Sequence, residues 1–537
     1  MRMRLLYMDL LCKRGFFFNI NNDIIMIMNT IIRKTDENKI DYDAIKEAGE
    51  ILKNGGLVAF PTETVYGLGA NALDEKAAMK TYAAKGRPSD NPLIVHIASY
   101  DALFGITEDI PDCTKKLADK FWPGPLTMIF KKGDSVPYGT TGGLDTVAVR
   151  MPSDPIAAAL IEAAGGYVSA PSANTSGRPS PTTAQHVEED LSGKIEMIID
   201  GGTVDIGLES TILDMTVEPP MILRPGAITK EMFEEVIDEV TIDKTILDST
   251  SKEKPKAPGM KYRHYAPKAE LKIVEGSLIE EVGAIRQLAH RAKLDGRKIG
   301  IIATNETEKF YEYGIVKNIG TRENEKTIAR NLYGVLREFD DEDVDEIYSE
   351  SFAVTGIGSA IMNRLEKAAG HVRLDAGSIY RQQKYHKILF LSNTDTSRGV
   401  MCAQILKNMD LQDYYFIDSR GMVVLFEEPV NQKAEAVMIS NKLEVSSHMS
   451  QQINAEDIDE NTLVLTMDES IKERIIAEYG DTNNIFTLCE YVDVCVEIPN
   501  PYGKALQSYG ECYEVLVRLM NKLADTLNDL KGEYENV

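Results

Sequence analysis

Between Phe60 and Ile97 the chain reads FPTETVYGLGANALDEKAAMKTYAAKGRPSDNPLIVHI, a stretch dense in groups that can bind and polarise a ligand. Thr62, Thr64 and Tyr66 supply hydroxyls, Lys85 and Arg87 fixed positive charge, Asn91 an amide and His96 an imidazole. Gly67 and Gly69 lack a Cβ and let backbone come close to a bound molecule. Each of these residue types is ordinary by itself, and a lone histidine in a strand is usually structural. Together they suit a polyphosphate held beside a small polar substrate. Further along, Thr146 to Met151 (TVAVRM) alternates, so Thr146, Ala148 and Arg150 share one strand face. An arginine on an otherwise apolar strand needs a carboxylate or phosphate partner. The run from Val168 to Thr182, which includes Ala170, Ser172 and Ser180, concentrates neutral donors just after a strand, where an anion could sit. Ser210, in ESTILD, and Arg224, in RPGA, add a hydroxyl and one more cation.

These side chains need scaffolding, and the local patterns supply it. Leu57 to Phe60 is a short apolar run stopped by Pro61, which reads as a buried strand. Helical spacing of Ala77, Ala78, Tyr82 and Ala83 carries Lys85 and Arg87 to a turn, and Leu93 to Ile97 is a second apolar strand bearing His96. Ile45, Ala48, Ile51 and Leu52 mark an amphipathic helix ended by Gly55-Gly56. Trp122 to Thr127 is a rigid turn into a strand at Met128 to Phe130, and the single Trp reads as a packing anchor. Ile198 to Gly202 and Glu209 to Asp214 read as another strand pair. Residues 240 to 256 are charged and aperiodic, a linker ending in PGMKYRHYAPK, residues 258–268. Beyond it, Leu271 to Val274, Ile279 to Leu294, Lys298 to Ala303, Thr327 to Phe339 and Ser359 to Ala368 alternate as strands and helices. No phosphate-binding fingerprint lies there, and the acidic run Glu338 to Glu346 reads as a solvated face. From Lys387 the chain reads KILFLSNTDTSRGVMCAQIL, a strand, a polar loop and a helix starting near Gly399.

The chain has 537 residues, enough for about three domains with cores of their own. A net charge of -25 argues against gripping a nucleic-acid backbone over a large surface, though it leaves room for a nucleotide pocket. The six cysteines show no metal-ligand spacing, which points to reduced thiols and a cytoplasmic protein. No run is apolar enough for a membrane span, and no membrane partner is expected. Asp9, Lys13 and Arg14 interrupt the apolar N-terminal stretch, so residues 1–34 read as a mis-assigned start or a disordered extension rather than a signal peptide.

The block from Phe60 to Ile97, with the segments at Trp122, Thr146, Val168, Glu209 and Arg224, resembles the YrdC-like threonylcarbamoyl-adenylate synthases in their two-domain form. The resemblance covers roughly residues 35 to 235. It implies a multidomain α/β chain: a YrdC-like twisted open sheet at 35–240, a linker at 241–268 lying over the active site, and a small Rossmann-like accessory domain at 269–376. It implies L-threonine binding by Thr64, His96, Arg150, Ala170 and Ser210. Nucleotide binding falls on Arg87, Asn91, Thr146, Ser172, Ser180, Arg224 and Tyr265, and Lys85 and Arg87 stabilise the transferring phosphoryl group. ATP, bicarbonate and L-threonine are the implied substrates. Mg2+ is expected to arrive with ATP, with no metal cage from protein side chains. A tRNA-modifying threonylcarbamoyl transferase complex is the implied downstream partner. The third segment, 385–537, resembles the low-molecular-weight tyrosine phosphatases, a doubly wound parallel sheet whose Cys-x5-Arg loop wraps a phosphate at a helix N-terminus. Here Ser392 stands at the nucleophile position and Asn500 at the general-acid aspartate, while Arg398 keeps its place. Serine lacks the low pKa of a loop cysteine, and an amide cannot protonate a leaving group. The expectation is an inactive domain, with a weakened anion site at Arg398 as the alternative. An RNA-binding module, a phosphatase, and a carbamoyltransferase of the hydrogenase-maturation type are the competing readings for the whole chain. The third lacks its expected cysteine pairs.

Overall fold

In a computed structural model the described residues are 18–20, 23–25, 29–244, 265–381, 383–444, 447–480 and 482–529. They form two compact units, Met1–Val274 with Lys298–Leu374, and Glu275–Arg297 with Asp375–Val537. Residues 258–264 of the aromatic and basic linker segment lie outside the described residues.

At the start, β1 (Phe18–Ile20) and β2 (Asp23–Ile25) pair antiparallel. The main sheet of the first unit then takes eleven strands: β3 (Ile31–Lys34), β4 (Val58–Phe60), β5 (Gly67–Asn71), β6 (Ile94–His96), β7 (Leu126–Lys131), β8 (Thr146–Arg150), β9 (Val168–Ser169), β10 (Met197–Asp200), β11 (Thr211–Asp214), β12 (Met221–Arg224) and β13 (Thr241–Ile242). Their spatial order is β13-β12-β11-β7-β8-β6-β9-β5-β4-β10-β3, a mixed sheet. Both ends exceed the expected domain. Residues 31–34, assigned by sequence to the extension, pair in parallel with β10 because Ile31 packs on the core beneath it. β13 likewise continues past residue 240, in parallel with β12. The expected pair of β10 and β11 does not form. β10 lies between β4 and β3, and β11 between β7 and β12. Each is buried along almost its whole length and finds partners remote in sequence, which local pattern cannot specify.

Helices cover this sheet where the sequence provides caps and an apolar stripe. In α1 (Tyr42–Lys53) the Asp41 side chain accepts from the amides of Asp43 and Ala44, and Ala44, Ile45, Ala48 and Leu52 are buried. In α2 (Glu75–Lys85) Asp74 caps the start and Gly86, at φ 61°, closes the end in the left-handed region. That glycine cap fixes where the chain turns, so Lys85 closes the helix and Arg87 follows directly on the turn. Asp154 caps α3 (Pro155–Ala163), which packs against α1.

The accessory part adds β14 (Glu270–Glu275), β15 (Ile299–Ala303), β16 (Ile315–Asn318), β17 (Glu346–Glu350) and β18 (Arg373–Asp375), ordered β16-β15-β17-β14-β18. The described pairs β14–β17, β15–β17 and β15–β16 are parallel, so β17 is central. The acidic run before it is not simply a solvated face. Arg337 and Phe339 beside it are buried, the Asp340 carboxylate is 4% exposed, and Glu346 opens β17. Helix α4 (Leu278–Leu294) clusters with the second unit rather than with the accessory domain in which the sequence places it. The cause is polar: Tyr414 N donates to Gln287 Oε1 (2.7 Å), Arg291 pairs with Asp413 (3.1 Å), and His290 Nε2 donates to the Leu411 carbonyl (2.7 Å). Two accessory helices remain in the first unit, α5 (Glu325–Glu342) and α6 (Gly356–Ala369).

In the second unit β19 (Lys387–Ser392), β20 (Phe416–Gly421), β21 (Thr462–Thr466) and β22 (Ile485–Thr487) make a parallel sheet ordered β20-β19-β21-β22. Helices α7 (Arg398–Lys407) and α8 (Leu506–Asp529) pack on each other beside it.

Candidate functional site

Three neighbouring strands place the amino-acid end of the cavity. β6 and β8 run parallel with His96 opposite Arg150, and β7 pairs antiparallel with β8 so that Thr127 faces Arg150. Residues directly opposite on adjacent strands share a face, which sets the imidazole, the guanidinium and a hydroxyl side by side. Ser210, immediately before β11, is 2.7 Å from the Thr127 hydroxyl, and Thr64 is 2.9 Å from the Thr62 hydroxyl. His96 is buried, with Nδ1 3.1 Å from the Ile94 carbonyl. A carbonyl only accepts, so Nδ1 carries the proton and the neutral ring offers Nε2 as an acceptor. Burial, then the Arg150 charge, pushes the imidazole down to about 3. A depressed histidine contributes stability fully above the unfolded value near 6.5, lost as pH falls towards about 3, because the unfolded chain then binds more protons. His96→Gln is therefore expected to flatten the pH dependence of the denaturant midpoint between 6.5 and 4. An unchanged slope would show another group to be responsible.

Arg150 is itself buried, its side chain 5% exposed, and Nη2 lies 2.8 Å from Glu63 Oε1. The pair is not aligned as a hydrogen bond: Nε and Nη2 of Arg150 and both Glu63 oxygens lack hydrogen-bond partners among the described residues. A buried guanidinium with unused donors is positioned for a carboxylate that arrives with a ligand.

The anion end lies on the loops after β9 and α2. Arg87 keeps a buried Nε with no partner among the described residues, and burial brings its guanidinium down to about 10. Ser172 donates to Asn174 Oδ1 (2.5 Å). Lys85 is fully buried and donates to the Ser172 carbonyl, to Asn174 O (2.6 Å) and to Asn174 Oδ1 (3.3 Å). Burial, followed by the Arg87 charge, holds its amine well below the usual lysine range. Three acceptors of the 172–174 loop thus surround its amine, so the resting geometry makes Lys85 a loop-fixing group, while Arg87 lines the same cavity with a donor unused among the described residues.

A buried carboxylate ties this pocket to the accessory helices. Glu209 accepts from Ser180 Oγ (2.6 Å), from Tyr333 Oη (2.8 and 3.0 Å) and from Arg364 Nε (3.1 Å). Burial alone would raise its carboxyl; the Arg364 and Arg224 charges outweigh it and bring it down to about 2. The next residue, Ser210, accepts from Arg224 at its carbonyl (Nε, 3.0 Å) and hydroxyl (Nη2, 3.1 Å). Tyr265 is buried at the rim, stacked on Tyr333 with ring centroids 5.0 Å apart, and Ala266 N donates to the Gly177 carbonyl (3.1 Å).

One cavity is lined by Lys85, Arg87, Thr64, His96, Arg150, Ala170, Ser172, Ser210, Arg224 and Tyr265. Three expected nucleotide ligands are elsewhere. Thr146 opens β8 while Arg150 closes it, about 13 Å away at strand rise. Ser180 is fully buried under Glu209, and Asn91 is buried off the cavity with its carbonyl accepting from Tyr82 Oη (2.9 Å). Asn174, Ser176 and Glu209 line the cavity without having been singled out. Asn174 and Ser176 sit inside the flagged polar loop; Glu209 precedes Ser210 in a strand start, and no local signal marks it. Among the described residues Glu209 is the one carboxylate on the lining, and no three His, Cys, Asp or Glu side chains could hold a metal ion.

In the second unit the Ser392–Arg398 loop is closed by its own side chains. Asp395, fully buried at φ 53°, accepts at Oδ2 from Gln451 N (3.0 Å), with His448 Nε2 3.3 Å from the same oxygen. Arg398 is paired with Asp468 at 3.0 Å, and Asn500 is exposed, accepting from Tyr502 N (3.1 Å). A carboxylate inside the loop and a neutralised arginine disfavour an anion there, against the weakened anion site offered as an alternative. The full chain is expected to hydrolyse p-nitrophenyl phosphate no faster than buffer. Turnover lost in Ser392→Ala would contradict this.

Three family models match in succession. A Sua5/YciO/YrdC model described as "Telomere recombination" spans residues 50–226. "Threonylcarbamoyl-AMP synthase, C-terminal domain" spans 228–370, and "Low molecular weight phosphotyrosine protein phosphatase" spans 387–533. The threonylcarbamoyl-AMP synthase of Pyrococcus abyssi is 49% identical over 342 residues, 64% of this chain and 98% of that protein. That of Bacillus subtilis is 50% identical over 337 residues, 63% of this chain and 96% of that protein. The crystal structure of P. abyssi Sua5 complexed with L-threonine superposes with a TM-score of 0.61 at 48% identity, covering 64% of this chain and all of that one. Fold and site together define a YrdC-like α/β enzyme of the class that transfers an adenylyl group. The chain belongs to the threonylcarbamoyl-AMP synthase family, and carries in addition a low-molecular-weight phosphatase-like domain.

Proposed function

We propose that the first unit joins L-threonine, bicarbonate and ATP into threonylcarbamoyl-AMP, releasing pyrophosphate. The observation that carries this is a pair of guanidinium groups, Arg87 and Arg150, each with unused buried donors on one cavity. The reaction supplies two anions, an amino-acid carboxylate and a triphosphate. Threonine's amine adds to bicarbonate with loss of water, the carbamate oxygen attacks the α-phosphorus, and the bond to the β-phosphate breaks. No protein nucleophile is needed; orientation and charge stabilisation suffice. Arg150 takes the carboxylate, with Thr64, Ser210 and the backbone at Ala170 around it. His96 accepts the threonine hydroxyl at Nε2. Arg87, Ser172, Arg224 and Tyr265 surround the nucleotide, and Lys85 holds the loop that carries Ser172. Magnesium enters as part of the MgATP substrate, held by phosphate oxygens rather than by a protein cage. The product passes to a complex that modifies the adenosine beside the anticodon of tRNA, in the cytoplasm. Among the described residues no helix is long and apolar enough to cross a membrane.

Pyrophosphate release by the purified chain, with threonine and bicarbonate omitted in turn, tests the reading. Release that needs both supports it, and release indifferent to threonine overturns it. A site that hydrogen-bonds the hydroxyl also rejects an analogue without one. 2-Aminobutyrate is expected to lose at least about 10²-fold in kcat/KM. Equal use of the two amino acids would remove His96 from its role.

A further inference from the structure

Thr127 on β7 faces Arg150 on β8, yet its side chain does not line the substrate cavity. β7 and β11 pair in parallel with Ile212 opposite Thr127, and the Thr127 hydroxyl meets that of Ser210 at 2.7 Å. Thr127 is fully buried, and the Ser210 oxygen is the one hydrogen-bond partner of its hydroxyl among the described residues. A hydroxyl has one proton to give and two lone pairs to receive with. A guanidinium only donates, so Arg224 Nη2, 3.1 Å from Ser210 Oγ, fills one lone pair of that oxygen. Two directions remain for the contact between the hydroxyls. If Ser210 donated, the Thr127 proton would be buried without an acceptor. If Thr127 donates, only a lone pair goes unused, which is much the cheaper of the two. Thr127 is therefore the donor. Both lone pairs of Ser210 are then filled, and its own proton has no acceptor among the described residues. Ser210 is 1% exposed and lines the cavity, so that proton is left for a ligand. Accepting from a cation and a second hydroxyl also polarises it and makes it a stronger donor.

We propose that Thr127 is a positioning residue of the amino-acid site: by donating to Ser210 it fixes that hydroxyl as a donor only, reserved for the substrate carboxylate beside Arg150. With its lone pairs filled, Ser210 cannot accept from the ammonium of the same amino acid, so the ligand is held in one sense, carboxylate towards Ser210. Thr127 acts through Ser210 and needs no contact with the ligand. The inference rests on the reading that this cavity binds L-threonine by its carboxylate.

The test is calorimetric titration of the full chain with L-threonine. Thr127→Val keeps the size of the side chain and removes its proton. It is expected to weaken binding about three- to tenfold, as the Ser210 hydroxyl loses its polarisation and its fixed direction. Thr127→Ala removes the same proton without adding bulk beside β8, and should match the valine. Thr127→Ser keeps the proton and should bind within about twofold of the wild type. In a Ser210→Ala background Thr127→Val should change the affinity by less than about twofold, because the route through Ser210 is gone. A packing role would instead weaken binding alike in both backgrounds and would not be rescued by serine, and either result overturns the inference. So does binding that Thr127→Val leaves unchanged or tightens, tightening being the result if Ser210 were the donor. Absence of threonine binding by the wild-type chain overturns the substrate reading and the inference with it, which separates that failure from failure of the inference alone.

Discussion

Arg87→Ala is expected to lower pyrophosphate release by about 10³-fold while leaving L-threonine binding and folding intact. Arg87 leaves α2 just past its glycine cap, and its Nε is buried without a partner among the described residues. Truncating it should therefore cost the protein little of its own hydrogen bonding. What is lost is charge aimed at an anion, and most of that loss should fall on kcat, since negative charge builds on the transferring phosphoryl group. Lys85→Ala makes the contrast. Its ammonium fixes the Ser172 and Asn174 carbonyls, so its removal should disorder the loop and raise KM for ATP together with lowering kcat. Steady-state kinetics on both variants separate the roles. A kcat of Arg87→Ala within tenfold of wild type would remove it from the catalytic machinery.

Arg364→Ala should be the most destabilising single change in the first unit, by about 3–5 kcal/mol. Arg364 is fully buried and donates to Glu209 at 3.1 Å. Removing it leaves a buried carboxylate with only hydroxyl donors and Arg224 nearby. The pH dependence follows from the depressed Glu209 carboxyl, about 2 in the folded chain against 4.5 unfolded. Its stabilisation is present above 4.5 and lost as pH falls towards 2, and the variant should lose much of it already at neutral pH. Arg364→Ala/Glu209→Gln should recover part of the loss, since a neutral amide is cheaper to bury and still accepts from Ser180 and Tyr333. Urea midpoints at pH 7 check both. A double variant no more stable than Arg364→Ala would mean that packing, not charge, dominates. Because Glu209 precedes Ser210, which Arg224 grips at two atoms, the same change should weaken substrate binding, making the accessory helices part of how the pocket is held.

How much of this was legible in the sequence depended on range. β4, β6 and β8 announce themselves by short apolar or alternating runs, and the Asp74 and Gly86 caps bound α2, so Lys85, Arg87, His96 and Arg150 are placed correctly by local pattern. β17 was not foreseen because EIYSE looks polar. Its Glu350 is fully buried only because Arg322 Nη2 and Tyr311 Oη, each 2.7 Å away, meet it from other segments. The half-buried edge strand β16 was missed for lack of an apolar face. Ser180 and Glu209 show the same limit within the site. Their types invite a ligand role, yet one supports the other beneath the surface, and nothing local signals a contact at 2.6 Å between residues 29 positions apart. Membership of α4 in the second unit likewise rests on partners at 411–414, more than a hundred residues away.

The most direct test of the central claim is mass spectrometry of the product formed from ATP, L-threonine and [13C]bicarbonate by the full chain. Threonylcarbamoyl-AMP carrying one 13C is expected from the wild-type chain, and about 10³-fold less of it from Arg87→Ala. AMP or ADP alone, or an adenylate without the label, would contradict it.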